Sequence, residues 1–406
     1  MRALAGCVIV VAACGRWHFD ELGGPGAGDG GPDAPIVQGD AVPACVALVE
    51  PASCTTIVQP TTFALGGWHG CAARPGNLAC WGSNTDDQLG LCAPAMIAEV
   101  PVAGPALDVA QLALGEIHSC ARTTAGQLFC WGSSFEGEAG GPLGTTDPLA
   151  RTITGTWQDV SARRFHTCGI QSDGSLYCWG RNVEGELGIG SAGTDVELPQ
   201  RVGISNDWTQ VRAAGLFTCG LQGTTASCWG DNPDGQLGNG TKQSSAVPVP
   251  VSGGVAFATL AGGKQHMCGL DTSNQMWCWG QGNVGQLGNG KTGPTANELV
   301  PFLVPGGPWS AIGVGWFETC GLDMAGGLYC WGDNTQGTIA PTAPATIATP
   351  FLVDAGPFDA VAAGMFTTCA RTTAGELRCW GVNDMGQLGV GDLMPRSTGV
   401  ALCFAP

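Results

Sequence analysis

The stretch Cys228-Trp-Gly-Asp-Asn-Pro-Asp-Gly-Gln-Leu-Gly238 decides the fold, because close copies of it return along the chain at a nearly constant interval. The tripeptide Cys-Trp-Gly occurs seven times, 48 to 52 residues apart, beginning at Cys80, Cys130, Cys178, Cys228, Cys278, Cys330 and Cys379. Between the copies lie short strand-like runs separated by Gly-rich turns. Seven units of about fifty residues predict an all-β fold, a seven-bladed β-propeller of four-stranded antiparallel blades.

The composition supports this fold and excludes one class of partner. Of the 406 residues, 67 are Gly and 26 are Pro, so long helices are not expected. The formal net charge is −17, with 16 basic against 33 acidic side chains. Binding to nucleic acid depends on Lys and Arg side chains that neutralise phosphates. We therefore expect no nucleic-acid partner.

A second cysteine precedes each Cys-Trp-Gly, with eight or nine residues between them; these are Cys71, Cys120, Cys168, Cys219, Cys268, Cys320 and Cys369. Symmetric pairing across a hairpin leaves a three-residue loop in five units, such as Thr124-Ala-Gly126, and a two-residue loop in the others, Pro75-Gly76 and Gly223-Thr224. The third loop residue is Gly four times and Asn once, which suits a left-handed backbone. No C-x₂-C pair typical of zinc sites occurs. We predict one disulfide within each blade, with Cα atoms about 5.5 Å apart.

The N-terminus predicts export. Residues 1–13 combine Met1-Arg2 with an apolar run too short to span a bilayer, as in a signal peptide. Val11-Ala-Ala-Cys14 is similar to a bacterial lipobox, so we expect lipidation of Cys14, with ordinary cleavage or a misplaced start as the alternatives. Residues 14–44 form a flexible Gly/Pro/Asp linker and residues 45–406 the propeller. We expect a bacterial lipoprotein of the outer membrane or cell surface, where disulfides can form.

The repeated pattern Trp-Gly-x-Asn-x-x-Gly-Gln-Leu-Gly, preceded by strands of the type Ala-Gly-x-x-x-His-x-Cys, resembles the RCC1 repeat, named for the regulator of chromosome condensation. The resemblance covers about residues 60–395, and two units depart from it, at Gly137-Glu-Ala-Gly140 and Gly337-Thr-Ile-Ala340. The family implies a seven-bladed disc but no single activity, because propellers are scaffolds. Guanine-nucleotide exchange, the activity of the name-giving member, needs a nuclear or cytosolic GTPase partner, which the signal peptide contradicts.

Recurring aromatic residues are expected to fill the spaces within and between blades. Tyr177 and Tyr329 share the position before a Cys-Trp-Gly cysteine, so neither fits a sialidase nucleophile. The tryptophans of the Cys-Trp-Gly copies are Trp81, Trp131, Trp179, Trp229, Trp279, Trp331 and Trp380. A second aromatic position holds Trp157, Trp208, Phe257, Trp309 and Phe358.

Four histidines, His69, His118, His166 and His266, each lie two residues before the first cysteine of a pair. A metal ring is disfavoured because Phe217, Glu318 and Thr367 occupy that position in the other units, so we expect a structural hydrogen bond. Acidic turns such as Asp231-Asn-Pro-Asp234 lack the alternating carboxylates of a calcium loop, and solvated turns are favoured. We expect no metal and no cofactor.

No Gly-x-Ser-x-Gly, His-Glu-x-x-His or phosphate-loop motif occurs, so no catalytic residue is predicted. We expect a monomeric module that binds another protein at the cell envelope or outside the cell, through variable segments such as 241–251 and 291–302. The alternative is a carbohydrate or cell-wall binder, and an uncharacterised hydrolase is third. Two of Trp68, Trp277 and Trp316 stacked on one open face would favour sugar binding.

Apart from Cys7 in the signal peptide and Cys14, four cysteines remain: Cys45, Cys54, Cys92 and Cys403. They allow two more disulfides in three connectivities. Residues 398–403 are expected to continue into the first blade and close the ring by mixing N- and C-terminal strands. This favours Cys92 with Cys403 and Cys45 with Cys54 over a bridge from Cys403 to Cys45 or Cys54.

Overall fold

The computed structural model describes residues 56–57, 59–91, 96–337, 339 and 343–404. Their regular structure consists of 30 β-strands, and they contain no helix capable of crossing a membrane. The predicted signal peptide, the linker, Cys14, Cys45, Cys54 and Cys92 lie outside the described residues, as does the side chain of Cys403. The lipid anchor and the two additional disulfides therefore stay predictions.

Seven four-stranded antiparallel sheets form the predicted blades, and in each sheet the strands follow chain order. Blade 1 has β2 (Thr62–Leu65), β3 (His69–Arg74), β4 (Asn77–Ser83) and β5 (Ile97–Ala103), and blade 2 has β6 (Val109–Leu114), β7 (His118–Thr123), β8 (Leu128–Ser134) and β9 (Thr145–Ile153). Blade 3 has β10 (Trp157–Arg163), β11 (His166–Gln171), β12 (Leu176–Gly180) and β13 (Val196–Arg201), and blade 4 has β14 (Trp208–Ala213), β15 (Phe217–Gln222), β16 (Thr225–Gly230) and β17 (Ser245–Pro250).

Blade 5 has β18 (Phe257–Gly262), β19 (His266–Asp271), β20 (Met276–Gly280) and β21 (Glu298–Leu303), and blade 6 has β22 (Trp309–Val314), β23 (Glu318–Asp323), β24 (Leu328–Asp333) and β25 (Thr346–Asp354). Blade 7 has β26 (Phe358–Ala363), β27 (Thr367–Thr372), β28 (Leu377–Gly381) and β29 (Arg396–Ala401). The first strand of each blade lines a central channel.

The seven predicted disulfides are confirmed, one in each blade between its second and third strands. Their cysteines face each other directly in the strand register; the pairs are Cys71–Cys80, Cys120–Cys130, Cys168–Cys178, Cys219–Cys228, Cys268–Cys278, Cys320–Cys330 and Cys369–Cys379. The Cα atoms of each pair lie 4.0–4.1 Å apart, below the expected 5.5 Å, as in a non-hydrogen-bonded antiparallel pair, where Cα atoms approach more closely. Seven such bridges indicate an oxidising compartment.

The hairpin loops also follow the prediction. Their third residues have positive φ, between 62° at Asn274 and 85° at Gly326 and Gly375, while the two-residue loops have Gly76 at 73° and Gly223 at 60°. These seven loops, here called the lower turns, comprise residues 75–76, 124–126, 172–174, 223–224, 272–274, 324–326 and 373–375. They lie at the end of each blade's second strand, and therefore on one face of the disc.

The repeated tryptophans pack where one blade meets the next, as predicted. Trp131 is fully buried, and its indole Nε1 donates to the Gln88 carbonyl of the preceding blade at 2.9 Å. The second aromatic position is buried within the blade: Trp157 packs against Trp179 with ring centroids 5.8 Å apart. These residues are therefore part of the framework.

Ring closure differs from the prediction. Residues 398–403 do not enter the first blade, because β29 is the fourth strand of blade 7. Instead, β30 (Cys403–Phe404) pairs with β1 (Thr56–Ile57) in a separate two-stranded antiparallel sheet. Within the described residues, blade 7 meets blade 1 through contacts such as the Trp81 indole Nε1 donating to the Gln387 carbonyl at 2.9 Å.

In six of the seven blades, proline protects the outer edge strand against pairing with another strand. Segments 241–251 and 291–302, expected to be variable loops, contain most of the fourth strands β17 and β21. Proline has no N–H to donate, and an edge strand that contains it is a poor template for another strand. Fourth strands contain Pro101, Pro148, Pro199, Pro248, Pro250, Pro301 and Pro350.

Candidate functional site

The turns between the first and second strands form a ring at one mouth of the channel, on the face opposite the lower turns. These mouth turns comprise residues 66–68, 115–117, 163–165, 214–216, 263–265, 315–317 and 364–366. Backbone hydrogen bonds of 3.0–3.3 Å join five neighbouring pairs; they run from Gly67 N to Gly115 O, Glu116 N to Arg164 O, Gly215 N to Gly263 O, Lys264 N to Trp316 O and Trp316 N to Gly364 O. Neighbouring mouth turns therefore hold one another in place.

Glycine permits this close approach. A Cβ built on Gly215 would lie 2.1 Å from the Lys264 carbonyl oxygen, and one on Gly66 would lie 2.4 Å from the Gly115 carbonyl oxygen. The first residue of a mouth turn is Gly in five blades and Ala in one. In blade 3 it is Arg163, so this residue breaks the repeat.

The histidine that follows the mouth turn in four blades has a structural role, as predicted. His118 Nε2 lies 2.8 Å from Thr167 Oγ1 of the next blade, and that hydroxyl donates to the Glu138 carbonyl at 2.8 Å. The hydroxyl hydrogen is used on the carbonyl, so the ring donates from Nε2. Burial lowers the pKa of His118 to about 3, so the ring is neutral. The same link joins His69 to Ser119, His166 to Thr218 and His266 to Thr319.

Two of the three units without histidine, those with Glu318 and Phe217, follow a rule that our sequence interpretation missed. Glu318 Oε1 accepts a hydrogen bond from the Thr368 hydroxyl of the next blade at 2.9 Å. Phe217 has no polar group, and in the next blade Met267 stands where five other blades have a Ser or Thr hydroxyl. Both side chains belong to one buried apolar cluster. Comparing each unit with the next at these two positions reveals this pairing in the sequence. The described residues contain no group of three or more ligands suited to a metal ion.

The Asn and Gln side chains of the repeat motif stabilise a loop through hydrogen bonds within it. Asn232 Oδ1 accepts from Leu237 N at 2.9 Å, and Gln236 Oε1 accepts from Asp234 N at 2.9 Å. These loops follow the third strands and therefore lie on the same face as the mouth turns. The motif that identifies the repeat thus explains the fold, and functional residues must be sought where the repeat varies.

The mouth turns of blades 6, 7 and 1 present an aromatic arc, which we define as Trp316, Phe317, Phe366 and Trp68. Phe317 stacks on Phe366 with ring centroids 6.1 Å apart, and Trp68 lies 6.3 Å from Phe366. Trp316 is 7% exposed, whereas the other three rings are half-buried. At the blade 5 end, Lys264 Nζ lies 4.9 Å from the ring centroids of both Trp316 and Phe317.

The rest of the mouth carries charge. Arg164 Nε lies 3.8 Å from Glu116 Oε2, too far for a hydrogen bond, and both atoms are buried with no hydrogen-bond partner among the described residues. Burial raises the pKa of Glu116, while Arg164, Lys264 and Arg163 oppose that rise. Burial lowers the pKa of Lys264, and the positive charge of Arg164 lowers it further. Three cations therefore surround one half-buried carboxylate.

Arg163 crosses the channel below this ring. It starts in blade 3, and its Nη2 donates to the Val314 carbonyl of blade 6 at 3.1 Å, while its Nε is buried with no hydrogen-bond partner in the described part of the chain. Burial lowers its pKa to about 10, opposed by Glu318 and Glu116. The channel forms a cavity of about 340 Å³ lined mainly by small apolar side chains, and Arg163 lines it together with Arg212.

Acidic side chains of blades 2 to 4 form a band beside the mouth. Burial and the neighbouring Glu138 raise the pKa of Glu136 to about 8, and burial with Glu184 raises that of Asp231 to about 6. Within this band Arg181 forms an ion pair with Glu186. The mouth cations therefore lie beside an acidic region of the same face.

The three tryptophans chosen to test sugar binding do not form open platforms. Trp68 and Trp316 share the mouth, but Trp316 is buried beneath Lys264 and Trp68 packs against Phe366. Trp277 lies on β20, where its indole Nε1 donates to Asp271 Oδ2 at 2.9 Å. Two of the three do lie on one face, but neither offers the exposed ring that stacking on a sugar requires.

Two sequence profiles, both described as the regulator of chromosome condensation (RCC1) repeat, match this chain. One matches residues 173–221, 228–270 and 273–322, and the other matches residues 109–138, 157–186, 257–286 and 358–387. The resemblance seen in the sequence is thereby confirmed. No curated protein is a significant match to the chain.

Solved structures of similar fold come from several organisms. Prp20p from Saccharomyces cerevisiae has 19% identity and a TM-score of 0.72, over 82% of this chain and 87% of that one. Human WBSCR16 has 17% identity and a TM-score of 0.72, over 82% and 94%. The ectodomain of the Arabidopsis thaliana receptor kinase ACR4 has 20% identity and a TM-score of 0.52, over 82% and 99%. At these identities the likeness shows the fold alone.

Proposed function

We propose that this chain, a seven-bladed propeller built from RCC1 repeats, is a protein-binding module without catalytic activity. The observation that carries the proposal is the ring of mouth turns, whose backbone repeats from blade to blade while their side chains do not. A rigid frame that presents aromatic and charged side chains on one face is suited to recognising another protein. The structure of Prp20p is described with that protein's binding to Gsp1p and histones, which supports the use of such a disc in protein binding.

The location we propose is outside the cytoplasm, at the outer membrane or surface of a bacterium, with a lipid on Cys14 as the anchor. Seven buried disulfides support an oxidising compartment. The apolar run before Val11-Ala-Ala-Cys14 supports the anchor. We expect Cys14→Ser to move the protein from the membrane fraction to the soluble fraction. Detergent-dependent membrane association of this variant would contradict the anchor.

The binding activity is tested by capture from envelope extracts with the full tagged chain. We expect a protein to be recovered, and to be lost when the chain is reduced and denatured before capture. Recovery of glycan without protein would favour the alternative, a carbohydrate or cell-wall binder. Turnover of a defined envelope substrate would favour the third candidate, an uncharacterised hydrolase.

A further inference from the structure

The residues of the mouth that break the repeat fall into two adjoining groups. Blades 6, 7 and 1 supply the aromatic arc, and blades 3 and 5 supply Arg163, Arg164 and Lys264. Arg163 replaces a glycine found in five other blades, so the framework does not require it. Lys264 belongs to the second group and contacts the first, since its ammonium lies over two rings of the arc.

We propose that the mouth binds a segment of a partner protein that carries an Asp or Glu side chain next to a large apolar side chain. The carboxylate is bound by Arg164, Lys264 and Arg163, and the apolar side chain packs on the half-buried rings of Trp68, Phe317 and Phe366. This proposal rests on the proposed protein-binding function and names its surface and the chemistry of its partner.

The hydrogen-bonding state of the cations favours an anion as ligand. The Nε atoms of Arg163 and Arg164 are both buried, and neither has an acceptor among the described residues. A buried guanidinium N–H without an acceptor is costly, and a carboxylate can accept from two donors at once. The close contacts of Lys264 Nζ are two aromatic rings, and Glu116 is the carboxylate that interacts with it electrostatically.

The charge balance points the same way. The mouth brings three of the chain's 16 basic side chains together around Glu116 and Glu318 in a protein of net charge −17, and Arg164 also interacts with Glu136 and Glu186 of the acidic band. In blades 2 to 4 the acidic band repels an acidic partner, so on that side attraction is confined to the mouth cations. A polyanion such as nucleic acid that extends over these blades would meet the band, whereas a single carboxylate avoids it.

The proposal is tested with random 12-residue peptides displayed on phage and selected on the full chain in detergent. We expect enriched peptides to carry Asp or Glu within about three positions of Phe, Trp, Leu or Met. Each loss of a charge-assisted hydrogen bond costs roughly tenfold in affinity, so Arg164→Gln with Lys264→Gln is expected to bind these peptides at least about tenfold more weakly. Enrichment of peptides without acidic residues, equal binding by the double variant, or no enrichment would each overturn the proposal.

A matched control separates local from global charge. Arg201→Gln with Lys291→Gln removes the same two charges from exposed sites outside the mouth, and is expected to leave binding unchanged. Equal weakening by the control would show that only net charge matters, which overturns the proposal. Unchanged thermal unfolding midpoints would show that all variants are folded.

Photo-crosslinking in the producing cells distinguishes failure of this proposal from failure of the proposed function. A benzoylphenylalanine at Gln265 or Met365 probes the mouth, and one at Thr124 or Thr373 probes the lower turns. We expect crosslinks from the mouth to a partner peptide that contains an acidic and an apolar residue. Crosslinks from the lower turns alone would keep the protein-binding function and overturn the mouth as its site. A crosslink from the mouth to another part of the same chain would contradict the proposal that a partner protein binds there. The absence of crosslinks at all four positions would contradict the protein-binding function itself.

Discussion

The two ends of each blade's second strand behave differently. The lower turns repeat in structure: the five three-residue turns have a left-handed residue at their third position, and all seven turns have a disulfide behind them. The mouth turns share a backbone, yet their middle residues are Gly67, Glu116, Arg164, Gly215, Lys264, Trp316 and Met365. Residues that recur are explained by packing, so the residues that vary on a fixed backbone are those available for recognition.

The largest effect on stability is expected when a disulfide behind a lower turn is removed. The double variant Cys168→Ala with Cys178→Ala removes the bridge between two cysteines that are ten positions apart in blade 3. The same blade carries Arg163 and Arg164. Loop-closure entropy predicts a loss of about 2–3 kcal/mol in the free energy of unfolding, measured by urea denaturation. Peptide binding at the mouth is expected to stay unchanged under native conditions. Loss of binding by the folded variant would show that the two ends of the blade are coupled.

An intermediate effect is expected from one methyl group added at either end. Gly215→Ala places a Cβ 2.1 Å from the Lys264 carbonyl oxygen, and backbone atoms cannot move away cheaply, so we expect a loss of about 2 kcal/mol. In a lower turn, the Cβ added by Gly223→Ala would have no atom within 4 Å. The expected loss of stability is therefore roughly 1 kcal/mol, which comes only from holding alanine at the positive φ of 60°. Thermal unfolding measures both, and the reverse order of stability would contradict the tight ring of mouth turns.

The sequence predicted the framework well because each framework residue recurs seven times. Cysteine spacing and loop length changed together, so the register of the hairpins followed, with Cys219 opposite Cys228 and Cys120 opposite Cys130. Ring closure was predicted wrongly, because the end of the chain has no second copy for comparison. The sequence of β29 resembles other fourth strands, and it is indeed the fourth strand of its own blade.

The mouth was not found from the sequence for the same reason. Trp68, Lys264 and Trp316 are about 50 to 250 residues apart in the chain, and they come together only because successive turns occupy one ring. Trp68 and Trp316 were singled out as tryptophans, but their location in the turn that follows the first strand of a blade was not recognised. Arg163 is visible in an alignment of the seven units as a departure from Gly, yet only the structure shows that it reaches Val314.

The smallest effect at neutral pH is expected at the structural histidines. His118→Gln removes the hydrogen bond to the Thr167 hydroxyl, so we expect a loss of about 1 kcal/mol at pH 7.5. Burial, with smaller effects of His69 and His166, lowers the folded-state pKa of His118 from 6.5 to about 3. Between these values the unfolded chain binds more protons than the folded one, so this contribution to stability is complete above pH 6.5 and is lost as the pH falls.

The pH dependence of the difference between wild type and variant therefore tests the role of His118. At pH 5 protonation of the unfolded chain costs the wild type about 1–2 kcal/mol, and His118→Gln escapes this cost. We expect the wild type to be more stable at pH 7.5 and the difference to vanish or reverse at pH 5, measured by urea denaturation. Phe217→Leu, at the same position in blade 4, has no titrating ring, and its difference from wild type is expected to be equal at both pH values. An equal difference for His118→Gln at both pH values would show that this ring is accessible to protons in the folded state, and that the buried link between blades is absent.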